Sequence, residues 1–155
     1  MKKIGIYLFV ATIGFTSLAS CADDDNNQTV QPQPTSHLLG SWKLNTMTVR
    51  SYKNGELVYE SIDAPVANQA TWEYTFKPDN KVDYYTVIPV IDVDERGTGT
   101  YTRNGNILTI TIKNEVQALE ISKSDANNLH LKFSEEEIEG DVTFTDEIEQ
   151  KFVRK

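Results

Sequence analysis

The sequence predicts an all-β domain, a small antiparallel up-and-down barrel of about eight strands, with an open two-sheet β-sandwich as the alternative. Three observations carry this reading. Over residues 37–155 apolar side chains recur with period two, and no long stretch shows a helical period. Turn formers interrupt the alternation, among them Lys77-Pro78-Asp79-Asn80 and Asn104-Gly105. The connections are mostly of hairpin length, without the long crossover that parallel strands require. Closing such a meander removes the edges that otherwise pair with other chains. Alternation by itself does not report closure, so the sandwich stays open.

Taken in order, residues 41–50 place Trp42, Leu44 and Thr46 on one face of a first strand. Residues 51–69 are long for a hairpin connection. They contain Leu57, Val58, Tyr59, Ile62, Pro65 and Val66, and are expected to fold over the barrel mouth as a lid. Residues 70–76 align Trp72, Tyr74 and Phe76. After the turn at Pro78, residues 81–88 align Val82, Tyr84 and Thr86. Residues 97–103 and 106–113 form a hairpin about Asn104-Gly105, with Leu108, Ile110 and Ile112 on one side. Residues 116–122 and 128–133 make another pair, contributing Leu119, Ile121, Leu129, Leu131 and Phe133. Residues 142–153 are either one bulged strand or two short ones.

The start of the chain has a different character. Lys2 and Lys3 precede an uncharged run from Ile4 to Leu18 and the small residues Ala19 and Ser20, the pattern of a secretory signal over residues 1–20. The run of about 15 residues is too short to span a hydrocarbon core of about 30 Å. Leu18-Ala19-Ser20-Cys21 resembles the lipobox of bacterial lipoproteins. The resemblance implies cleavage before Cys21, diacylglycerol on its sulfur and a further acyl chain on the freed amine. Cys21 is the only cysteine, so it has no disulfide partner within the chain. Residues 21–36 carry little to bury and are expected to act as a disordered tether ahead of a single domain at 37–155. Asp23-Asp24-Asp25 resembles the surface-export signal of lipoproteins of the Bacteroidetes type. It implies an outer-membrane, lipid-anchored protein at the cell surface, with the periplasmic face as the alternative.

A further resemblance lies within the domain. Gly40-Ser41-Trp42 resembles the Gly-x-Trp motif of the lipocalin superfamily and its bacterial lipocalin-like lipoproteins. Tyr74-Thr75-Phe76-Lys77-Pro78-Asp79-Asn80 is similar to their aromatic-x-Phe-x-Pro-Asp-Gly turn, and Gly99-Thr100-Tyr101 with Asn104-Gly105-Asn106 before Leu108 follows the same pattern. The resemblance implies that Gly40 lets the chain turn into the barrel, that Trp42 plugs its closed end, and that Arg154 packs across the indole. Arg154, near the end of the chain, is expected to be partly hydrated and to matter less to stability than Trp42.

Trp72, Tyr74, Phe76, Tyr84 and Tyr101 fall on neighbouring strands with inward parity. They either fill the interior or line a cavity for one small apolar ligand, since a barrel of this size does one or the other. A filled barrel would leave a structural, accessory or inhibitor lipoprotein that meets a macromolecule through its loops.

Composition narrows the remaining chemistry. The formal charge is −8, or −10 without the two lysines of the signal, which repels nucleic acid backbones and anionic headgroups. His37 and His130 are far apart, and His130 has the parity of an exposed strand residue. No serine sits in a nucleophile elbow, so the chain is read as noncatalytic. Asp92-x-Asp94-Glu95 and Glu135-Glu136-Glu137-x-Glu139-x-Asp141 read as solvated acidic loops, and neither follows the calcium-loop spacing. No metal or cofactor is called for beyond the covalent lipid on Cys21.

Overall fold

The computed structural model describes residues 37–66 and 70–155. The expected signal peptide, the lipid attachment at Cys21 and the tether lie outside the described residues, as do residues 67–69 of the expected lid. Among the described residues nine antiparallel strands run in chain order: β1 (Gly40–Lys53), β2 (Glu56–Pro65), β3 (Thr71–Phe76), β4 (Lys81–Ile88), β5 (Val93–Asn104), β6 (Ile107–Ile112), β7 (Glu115–Ser124), β8 (Asn128–Glu139) and β9 (Val142–Arg154). A 3₁₀ turn, Pro89–Ile91, joins β4 to β5.

Closure comes from β1. One of its edges pairs with β9 from Trp42↔Arg154 to Lys53↔Phe144. Its other edge meets β3 at Gly40–Lys43 and then β2 from Thr46↔Pro65 to Lys53↔Glu56. β2 and β3 therefore lie end to end along one edge, and nine strands occupy eight positions of a closed barrel. The open sandwich is excluded by the β1–β9 ladder.

Local chemistry sets the turns. Asn54 and Gly55 take φ of 51° and 81°, reversing β1 into β2, the backbone that an Asn-Gly hairpin favours. Asn54 is also clipped to the start of β9, its amide donating to Thr143 O at 2.8 Å and its side-chain oxygen accepting from Thr143 N at 2.8 Å. Asn80, at φ 59°, closes the turn before β4, where Lys77 N donates to Lys81 O at 2.8 Å.

Several expectations are corrected. The lid over the mouth is instead β2, a strand in the wall, because the turn at Asn54-Gly55 brings residues 56–65 back along β1 and satisfies their amides there. Thr46 does not share a face with Trp42 and Leu44: the register slips between Leu44 and Thr46, so Met47 and Val49 face Gln150 and Ile148 instead. Asp94 and Glu95 belong to β5, and Glu135, Glu136, Glu137 and Glu139 belong to β8, so neither acidic segment is simply a loop. Residues 142–154 form one strand.

The packed core sits toward the end where β1 begins. Leu38, Trp42, Val82, Leu108, Leu129, Leu131 and Phe152 are fully buried there. Phe76 meets Tyr101 edge to face at 5.0 Å, and Tyr74 lies 5.6 Å from Phe152.

Candidate functional site

The two ends of the barrel differ in chemistry. At the closed end Trp42 is completely buried, and its indole Nε1 donates to Leu38 O at 2.8 Å. The Arg154 guanidinium lies over the ring, 4.2 Å from its centroid. The same group donates to Leu39 O and His37 O, each at 2.9 Å, and to Ala126 O. Gly40, at φ 117°, leaves the space this arginine needs, since a Cβ there would collide with Arg154 Nη1. Both the left-handed backbone and the close approach favour glycine.

Above the plug the barrel opens into a cavity of about 310 Å³. Trp72 and Tyr74 line it from β3, and Tyr84, Thr86 and Ile88 from β4. Ile110 and Ile112 supply the wall from β6. Besides Thr86, its charged and polar lining groups are Glu95 on β5 and Glu115 and Gln117 on β7. Gly97 faces the Tyr84 ring from β5; a Cβ there would fall 2.9 Å from Tyr84 Oη and 3.0 Å from the ring edge. That bare backbone lets Tyr84 lie flat against the wall rather than across the cavity.

Of the five aromatic residues expected to line a pocket, Trp72, Tyr74 and Tyr84 do so. Phe76 and Tyr101 lie in the packed layer beneath, 2% and 4% exposed. The Tyr101 hydroxyl donates downward to Lys77 O at 2.8 Å, which turns its polar end away from the cavity. Burial raises the Tyr74 phenol above its ordinary pKa.

Sequence reasoning took Glu95 for part of a solvated acidic loop and did not single out Glu115 or Gln117. The alternation of β4 continues through its partners: Tyr84 opposes Gly97, Thr86 opposes Glu95 and Ile88 opposes Val93. Extending β5 back past Gly97 would have placed Glu95 on the inner face. Lys113, in the β6–β7 turn, reaches Glu95 at 3.0 Å. The hydrogen bond to Glu95 raises the Lys113 ammonium above its ordinary pKa; partial desolvation opposes this, and the charge of Glu115 adds to the rise. His130 sits half-buried on the outer wall, 3.9 Å from Glu149, where desolvation lowers its pKa. Among the described residues no group of three or more His, Cys, Asp or Glu gathers to hold a metal.

A second depression, of about 500 Å³, lies on the outside of the barrel where β7 and β8 part. Their pairing runs only from Glu120↔Lys132 to Ser124↔Leu129, so residues 115–119 and 133–139 lack partners along that seam.

A closed up-and-down barrel, plugged by a tryptophan under an arginine and open at the other end into an apolar cavity, defines a class of cavity-bearing β-barrel. The chain belongs to the Lipocalin-like domain family, whose model matches residues 38–132, more than half of its length. Among solved structures it is similar to a lipocalin-like protein from Bacteroides uniformis, at 12% identity over 77% of this chain and 100% of that one, with a TM-score of 0.46. It is similar also to an uncharacterized protein from Bacteroides eggerthii, at 12% identity over 76% and 98% of the two chains, TM-score 0.44. A bovine odorant binding protein, in complex with a selenium containing odorant, shares 14% identity over 86% of this chain and 78% of that one, TM-score 0.46. No curated protein matches the sequence.

Proposed function

We propose that this chain is a lipid-anchored, noncatalytic lipoprotein that holds a small apolar molecule in its barrel mouth. The observation that carries the reading is the cavity of about 310 Å³ walled by Trp72, Tyr74, Tyr84, Ile110 and Ile112. That is the lower end of the usual size of a ligand pocket, and its mostly apolar lining with a few polar groups has the usual character. The anchor rests on the sequence alone: Cys21, placed directly after an apolar run, is acylated, and Asp23-Asp24-Asp25 directs the protein to the outer face of the outer membrane. One acyl chain anchors weakly and two or more anchor stably.

Titrating the protein with 2-naphthalenemethanol while following tryptophan emission tests the cavity. A saturable change that disappears in Trp72→Phe and persists in Tyr101→Phe is the expected result, and a change indifferent to Trp72 rejects the cavity as the binding place. Labelled palmitate incorporated by cells should be lost in Cys21→Ser; label retained by that variant rejects the anchor. A second reading, an accessory protein that meets a macromolecule, draws on the groove between β7 and β8, where two strand edges stand unpaired.

A further inference from the structure

We propose that the cavity selects amphipathic organic cations, an apolar body carrying a protonated amine, over neutral or anionic molecules of the same body. The proposal rests on the cavity reading above and adds the charge of the ligand to it. The charged side chains that line the cavity are both carboxylates, Glu95 on β5 and Glu115 on β7, the two strands that flank β6. No lysine, arginine or histidine is among its lining residues, and the cation nearby, Lys113, is already paired with Glu95, so a fatty acid or other anion entering the mouth would meet the like charge of Glu115.

The aromatic wall points the same way. Trp72, Tyr74 and Tyr84 line the cavity, and the negative quadrupole of an aromatic face attracts a cation that reaches it, more strongly where water is excluded. An apolar body on the rings would leave an ammonium at the rim between the carboxylates.

The protein already holds an ammonium of its own at that rim. Lys113, carried on the two-residue turn Lys113-Asn114, with φ of 50° and 72°, brings Nζ to 3.0 Å from Glu95. Glu95, Tyr84 and Glu115 all favour the charged form of this amine. The rim is therefore an environment that stabilises an ammonium, and Lys113 is the tethered competitor of a ligand amine. Glu115 makes no ion pair among the described residues and is the carboxylate open to a ligand. Removing Lys113 should therefore improve the binding of an amine, the opposite of what loss of a structural contact would do.

The test uses the full chain carrying Cys21→Ser, so that no lipid is attached, and three probes with one body: 2-naphthalenemethylamine, 2-naphthalenemethanol and 2-naphthoate. At low salt and neutral pH the amine should bind about fivefold more tightly than the alcohol, and the naphthoate more weakly than either, as expected of partly exposed charge pairs. Glu115→Gln should remove most of the amine's advantage over the alcohol. Lys113→Gln should raise amine affinity about threefold and leave the alcohol unchanged. Raising the salt to about 0.5 M should narrow the spread. If the alcohol binds and the naphthoate equals or exceeds the amine, charge selection is wrong while the cavity reading stands. If Lys113→Gln weakens the amine, the competitor role is wrong. If none of the three probes binds, the cavity reading and the proposal fall together.

Discussion

At the scale of single residues, Trp42 and Arg154 act as one unit. Trp42→Ala deletes a fully buried ring from a packed layer and is expected to cost about 3–5 kcal/mol. The sequence suggests a minor part for Arg154, at the chain's end. The structure makes it the joint between the entry segment, at His37 and Leu39, and the β7–β8 turn, at Ala126, two segments with no ladder to one another, while it also covers the indole. Arg154→Ala is therefore expected to cost about 2–3 kcal/mol, since hydrogen bonds to a charged group are among the stronger ones and several carbonyls lose their donor. Arg154→Lys should recover less than half of that, because an ammonium does not reproduce the planar fork. Urea unfolding with unchanged m values checks all three variants, and an Arg154→Ala protein as stable as the parent would contradict the account.

At the scale of elements, two strands carry charge where the fold makes it consequential. Glu135 on β8 directly opposes Asp146 on β9. Partial desolvation on an otherwise exposed strand, and then the Asp146 charge, raise the Glu135 carboxyl above its ordinary pKa. A carboxyl raised in the folded state destabilises the fold at neutral pH, and the penalty fades as pH falls through that raised value and is gone below the unfolded one. Glu135→Gln should therefore raise Tm at pH 7 by about 1–3 °C, with the gain vanishing below about pH 4; a gain that persists in acid contradicts the pairing.

On β2 the sign is reversed. Asp63, at φ 49°, accepts from Lys151 and, at 3.2 Å, from Thr48 Oγ1, while its amide donates to that hydroxyl at 3.0 Å. The hydrogen bond with Lys151 is the largest influence holding its carboxyl below the ordinary range. Its contribution is full above the unfolded pKa and lost as pH falls through the lowered folded value. Because β2 has a partner on one edge only, Asp63→Asn should speed amide exchange across residues 57–64 at neutral pH and leave exchange in β4 unchanged. Equal protection of β2 in the two proteins would show that the ladder alone secures the strand.

At the scale of the whole molecule, β9 decides whether a barrel exists. It pairs with β8 from Asn128↔Val153 to Glu139↔Val142 and with β1 from Trp42↔Arg154 to Lys53↔Phe144. A chain ended after Glu139 loses the closing ladder, Phe152 and Arg154 together, and exposes two long strand edges. Such a truncation is expected to aggregate or to lack a cooperative thermal transition, whereas residues 37–155 should unfold in one; circular dichroism of the two proteins checks this. The family match ends at residue 132, inside β8, so the strand that completes the barrel lies beyond it.

Much of this was legible before any coordinates. The inward set of β3, β4, β6 and β7 followed from alternation, because the pleat sends every second side chain to one side. The turn at Pro78 and the plug pair Trp42 and Arg154 were readable for local reasons, a restricted φ and a recognisable motif. Asn54-Gly55 carried the same hairpin signal as Asn104-Gly105. It was obscured by the apolar residues after it, which suit a lid and a wall equally well. What only the tertiary structure decided was non-local. The slip beside Asn45 that turns Met47 inward, the end-to-end seating of β2 and β3 on one edge of β1, and the meeting of Glu95, Lys113 and Glu115 at one rim all depend on which strand lies next to which. Periodicity reports the face a residue presents along its own strand, whereas its neighbour across the barrel is set by pairing between segments tens of residues apart.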